Sequence, residues 1–277
     1  VTNSPHSFQD FSAHSCQPRH LPLSVWLTAP EGQSPAVCPN GCCMPVTGRL
    51  ARQLITTCTR PGDLVVDIHP ADHTLAANAV ILGRRASAVA TDPEVAGDIW
   101  TRVTSGREAD RRRVEVRVAR PEATYPVLAH RRGEAALVVI KRTCETSTFT
   151  SSVGLPLEKS SLADPAALLT NGGHLAVVTG LQLVDGRPHD PVPGLIREAR
   201  RAGMVYLQHI VAIHGPVRRK RIVLSLLPAT ITANRAKAVL PRVPTALRAH
   251  ADVLIFIKPA RPPASAEPYS NEEGEER

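Results

Sequence analysis

The chain has 277 residues, 43% of them apolar and 3% aromatic, with a formal net charge of +8. That length is ample for one sizeable core, and no run of about 18 apolar residues offers a membrane-spanning helix. The first residues lack the charged-then-apolar pattern of a secretory leader, so a cytoplasmic protein with no membrane partner is expected.

The charge is uneven. From Pro259 onward there are two arginines and five glutamates, so the body ahead of this tail is more basic than the net figure. A basic body with an acidic tail suits an anionic partner, DNA or RNA first. A solvated surface that is merely basic gives the same count, and no protein partner is specified. The cysteines are Cys16, Cys38, Cys42, Cys43, Cys58 and Cys144. Paired Cys-x-x-Cys spacing is missing and Cys42 adjoins Cys43, so no metal site is expected and the thiols read as reduced.

In chain order, residues 1–22 are rich in Ser, Pro, His and Gln without periodicity and read as disordered. Leu23 to Thr28 is a short apolar run, an edge strand or a cap. Val46 to Cys58 has helical spacing, with Leu50, Leu54 and Ile55 on one face. After the turn at Pro61-Gly62, the run Leu64 to Val66 reads as a strand ending on Asp67. Leu75 to Leu82 is helical and stopped by Gly83, and Ala86 to Ala90 is a second strand ending near Asp92. This is β-turn-α-β, the unit of parallel sheets, whose ligands sit outside the carboxyl ends of the strands.

Glu94 to Ser105 reads as a helix, Val114 to Val118 as a strand with one wet face, and Ala135 to Ile140 as a central strand covered on both sides. Thr143 to Ser161 reads as a long loop. Leu162 to Thr170 reads as a helix ended by Asn171-Gly172-Gly173, and His174 to Thr179 as the next strand. Pro191 to Ala202 is a helix closed by Gly203. Val205 to Ile213 and Ile222 to Leu227 are strands flanking the basic run Arg218-Arg219-Lys220-Arg221, and Asn234 to Leu240 is a short helix. Asp252 to Lys258 is the final strand. Residues 259–277 form a Pro- and Glu-rich disordered tail, leaving residues 23–258 as one domain.

Gly62-Asp-Leu-Val-Val-Asp67, then Leu82-Gly-Arg-Arg-Ala86 and Asp92-Pro93, resemble the cofactor half of S-adenosylmethionine-dependent DNA methyltransferases of the amino-methylating type. Leu168 to Thr179 and Asp252 to Phe256 extend the likeness, which covers roughly residues 46–258. The resemblance implies a Rossmann-like α/β methyltransferase fold of about seven mostly parallel strands with an antiparallel C-terminal edge and helices on both faces. It implies S-adenosylmethionine as cofactor and adenine N6 or cytosine N4 as target. Asp67, His69, Thr74 and Asp92 are the candidate cofactor residues, Asp92 being equally a helix cap. Arg218, Arg219, Lys220 and Arg221 are candidates for gripping a nucleic-acid backbone, or a solvated hairpin tip.

Departures from the family pattern are specific. Where the family has a glycine-rich turn this chain reads Asp67-Ile-His-Pro-Ala-Asp-His-Thr74, with Ala71 and His73 in place of glycines, which narrows the pocket or forces a different turn. The family's ribose-binding acidic position falls on Ala90. Its Ser/Asn/Asp-Pro-Pro-aromatic tetrapeptide is replaced by Lys141-Arg142-Thr143-Cys144. Lysine and arginine only donate hydrogen bonds, so they cannot accept one from a base amine. No catalytic residue is therefore assigned. The two readings are a methyltransferase with impaired chemistry and an inactive methyltransferase-fold module that binds nucleic acid or a protein.

Overall fold

The computed structural model describes residues 23–29, 46–105, 108–141, 161–180, 182–184, 187–215, 217–218, 221–222 and 250–260. The elements in order are β1 (Leu23–Leu27), α1 (Gly48–Cys58), β2 (Leu64–Ile68), α2 (Thr74–Ile81), β3 (Arg85–Ala90), α3 (Pro93–Thr104), α4 (Glu108–Arg111) and β4 (Val114–Val118). They continue with α5 (Thr124–Val127), β5 (Ala135–Lys141), α6 (Ala163–Leu168), β6 (Leu169–Thr179), β7 (Gln182–Val184), β8 (Arg187–His189) and α7 (Val192–Arg201). The last are β9 (Val205–Ile213), β10 (Val217–Arg218), β11 (Arg221–Ile222) and β12 (His250–Ile257).

Eight strands make one sheet in the order β1-β9-β12-β6-β5-β2-β3-β4. β12 runs antiparallel to both its neighbours, and every other pairing in the sheet is parallel. Successive units β2-α2-β3-α3 wind toward one edge, while β5 and β6 lie on the other side of β2. The switch point is therefore between β2 and β5, and ligands of such sheets bind at the carboxyl ends there. This is the Rossmann-like methyltransferase fold. Its antiparallel strand lies third from the β1 edge, with β9 and β1 beyond it.

Alternation along the strands divides the core into two layers. Val65, Leu137 and Val139 face α1, α2 and α3, whereas Val66, Val138 and Ile140 face α6 and α7. Helix α1 is set by its spacing and its cap: Thr47 Oγ1 accepts from the Leu50 N–H at 3.2 Å, and Leu50, Leu54 and Ile55 are fully buried. Each such side chain contributes about 1.5–3 kcal/mol.

One expectation changes, and one pair of alternatives is decided. Asn171-Gly172-Gly173 does not end a helix but lies inside β6, because α6 stops at Leu168 and the chain becomes extended at Leu169. Here the register with β5 shifts, and a Cβ on Gly173 would stand 2.8 Å from the Ala135 carbonyl oxygen. Gly173 thus permits a close backbone approach within a strand, while Gly172, at φ 78 with open space around it, supplies the left-handed residue where the register shifts. Leu23 to Leu27 is an edge strand, parallel to β9. The expected strand beyond Ile222, the helix 234–240, the segment 1–22, the loop 143–160 and the tail 261–277 lie outside the described residues.

Candidate functional site at the strand switch point

The carboxyl end of β2 delivers Asp67, and period-two alternation puts it on the same sheet face as Lys141, the last residue of β5. Register pairs Asp67 with Val139, two residues before Lys141. The Lys141 ammonium donates to Asp67 Oδ1 at 2.9 Å, with the two side chains 10% and 3% exposed. Burial pushes the Asp67 carboxyl up from its ordinary value, the Lys141 charge and hydrogen bond oppose this, and Asp72 adds to it. The pair spans the switch point between the ends of β2 and β5.

The turn after β2 differs from a glycine-rich one. Its left-handed residue is His69, at φ 52, while Ala71 and His73 have no such conformation. A non-glycine residue there is strained unless held, and His69 is held twice. Its backbone N–H donates to the Val89 carbonyl at 3.0 Å and its Nε2 lies 2.7 Å from Oγ1 of Thr124, the first residue of α5. Burial, then the Lys141 charge, lowers the His69 pKa and favours the neutral ring.

Asp72 Oδ1 accepts from the Thr74 N–H at 2.8 Å, opening α2. His73 leaves the crevice for α3, where its Nδ1 lies 2.7 Å from Asp98 Oδ2. Asp92 is exposed beyond β3, and its Oδ1 caps α3 by accepting from the Glu94 N–H at 2.8 Å. Pro93 follows at the first helical position, the usual partner of such a cap. Ala90 is fully buried.

The fold thus gathers Asp67, His69 and Thr74 on one strand-to-helix turn and sets Asp92 at the neighbouring strand end. Arg218 and Arg221 face each other as backbone partners in the β10–β11 hairpin. Arg219 and Lys220, like Arg142, Thr143 and Cys144, lie outside the described residues. The reading of the residues missed the Lys141 contact to Asp67. Its only signal was a cation where the family has an acceptor, and the two are 74 positions apart.

No family model matches the chain, and no curated protein matches it. Solved structures do. Geranyl diphosphate C-methyltransferase from Streptomyces coelicolor, solved with geranyl diphosphate and S-adenosyl-L-homocysteine, is 14% identical over 75% of this chain and 76% of that chain, with a TM-score of 0.46. Precorrin-6y C5,15-methyltransferase from Geobacter metallireducens is 13% identical over 76% of this chain and 89% of that one, TM-score 0.46. The (4+2)-cyclase SpnF is 12% identical over 87% and 90%, TM-score 0.49.

The fold is methyltransferase-like. Strand order and direction place it there; function has to come from the site.

Among the described residues no group of three or more His, Cys, Asp or Glu gathers as a metal site. No helix among them is long and apolar enough to cross a membrane. Cys58 is the one described cysteine, and burial pushes its thiol up to about 12, which leaves it neutral and unreactive.

Proposed function

We propose that the chain binds S-adenosylmethionine at the β2–β5 switch point and does not methylate base amino groups there. The observation that carries this reading is the buried Lys141–Asp67 pair. A matched carboxylate and ammonium at the strand ends fit an amino-acid zwitterion, which offers an ammonium to Asp67 and a carboxylate to Lys141. Asp92 would meet the ribose hydroxyls with the carboxylate oxygen that does not cap α3, and Thr74 would border the turn. When bound, the cofactor supplies an electrophilic methyl group.

The chain's own residues give no acceptor for an amine at position 141. An ammonium there repels an incoming base donor rather than orienting it. This supports loss of the base-amine chemistry of the DNA amino-methyltransferases that the sequence resembles, with a present role in binding nucleic acid or a protein.

Calorimetric titration with S-adenosylmethionine and S-adenosylhomocysteine tests the first half. Binding in the micromolar range is expected, weakened by Asp67→Asn, and no heat at millimolar ligand would remove the cofactor from the proposal. Radiolabelled methyl transfer to DNA and RNA tests the second half. Incorporation above a no-enzyme control would show that the chemistry survives.

A further inference from the structure

The amino ends of the strands, opposite the crevice, have an electrostatic character of their own. Arg84, at the entry to β3, is 7% exposed. Its guanidinium donates to the Thr59 hydroxyl at 3.1 Å, the Thr59 carbonyl at 2.9 Å and the Leu82 carbonyl at 2.5 Å. All three acceptors are neutral, so the buried charge has no carboxylate partner among the described residues.

Three strand-entry loops bring more arginines to the same rim. Register pairs Ala86 with Val114, and the Ala86 N–H donates to the Arg113 carbonyl at 2.7 Å, so Arg85 and Arg113 enter neighbouring strands side by side. The Arg85 N–H donates to the Asp63 carbonyl at 2.8 Å and its Nε to the Gly62 carbonyl at 3.2 Å, which draws the Arg60 loop alongside. Arg60, Arg85, Arg112 and Arg113 are exposed, and none forms an ion pair with a described residue. Asp63 Oδ2 is turned to the Arg60 backbone N–H at 2.7 Å. Over residues 60–63, 84–85 and 108–113 there are six arginines against three acidic residues.

Like charges at neighbouring strand positions repel, and a buried cation beneath them adds to the field. Anions lying across the rim would relieve it. Neighbouring strands are about 4.8 Å apart, so three entries make an open strip on the order of 10 Å wide. Planar guanidinium forks match phosphate oxygens. An open strip rather than an enclosed hole suits a chain of phosphates over a single ion.

We propose that this rim, formed by Arg60, Arg85, Arg112 and Arg113 over Arg84, binds the phosphodiester backbone of nucleic acid. It lies at the end of the sheet away from Asp67 and Lys141, so nucleic acid held here is a partner and not a substrate of the crevice. Binding there requires no S-adenosylmethionine.

The test is fluorescence anisotropy of the full chain with labelled single-stranded DNA, single-stranded RNA and duplex DNA across a salt series. The variant Arg85→Glu/Arg113→Glu is compared with a control of equal charge on α7, Arg197→Glu/Arg200→Glu. The rim variant is expected to weaken binding about tenfold or more and to lower the salt slope by about two, with the control within about threefold of the parent. Arg85→Gln/Arg113→Gln, checked by circular dichroism, carries the same expectation should the charge reversal unfold the chain. Equal losses in rim and control, or no loss in either, would overturn the proposal. So would displacement of the oligonucleotide by a polyglutamate of equal charge, which would assign the rim to acidic proteins. Cofactor titrations on the same variants should be unchanged, which separates this outcome from that of the crevice.

Discussion

Lys141 Nζ lies 2.9 Å from Asp67 Oδ1 across the switch point of the sheet, and both side chains are almost wholly buried. Such a pair is weak evidence for stability as a whole but a strong constraint on either partner alone, because removing one leaves the other charged and unpaired in a poor solvent.

Lys141→Met should therefore destabilise the protein by about 3–5 kcal/mol, while Asp67→Asn/Lys141→Met should recover most of that loss. Urea unfolding at neutral pH reads both. A single variant as stable as the double one would show that the ammonium does not compensate the Asp67 carboxylate.

Asp92 can be split into its two roles. Asparagine caps a helix about as well as aspartate, whereas alanine costs about 1 kcal/mol. Asp92→Asn should thus keep the melting temperature and Asp92→Ala lower it. If the carboxylate also meets the cofactor ribose, both variants should weaken S-adenosylmethionine binding. Loss of affinity in the alanine variant alone would reduce Asp92 to a cap.

His214, after β9, is 7% exposed and neither ring nitrogen has a hydrogen-bond partner among the described residues. Burial first, and the charge of His250 second, lower its pKa to about 4. A depressed folded value means that the unfolded chain takes up the proton first. The stability contribution is then complete above the ordinary histidine value near 6.5 and is lost as the pH falls toward 4, by roughly 3 kcal/mol at most. His69 and His174 are lowered too, so the readout is a difference. Between pH 7 and pH 5, His214→Leu should lose less stability than the parent in urea melts, and an equal loss would place the titration elsewhere.

Much of the fold was legible because its signals are local. The apolar run 135–140 and the alternation at 114–118 announce strands, and the spacing of Leu50, Leu54 and Ile55 announces a helix. Asn171-Gly172-Gly173 misled for the same reason. Glycines usually mark an end, and only the close approach of the Ala135 carbonyl to Gly173 shows that a glycine here serves a strand interior.

The candidate site was legible in part. The change of family pattern at residues 67–74 and 141–144 could be read residue by residue, and so could the twofold meaning of Asp92. The pairing of Asp67 with Lys141, and of His69 with Thr124 across 55 positions, could not. Neither pair has a periodicity linking its members.

The sequence by itself determined the alternation of the main strands and helices, the ends on which Asp67 and Asp92 fall, and the loss of a hydrogen-bond acceptor at position 141. Tertiary structure decided that β12 enters between β6 and β9, that Lys141 neutralises Asp67, and that Arg60, Arg85 and Arg113 share one rim. The physical reason is that hydrophobic period is a property of a short stretch of chain. Which strand lies beside which, and in what register, depends on backbone hydrogen bonds between residues far apart in sequence.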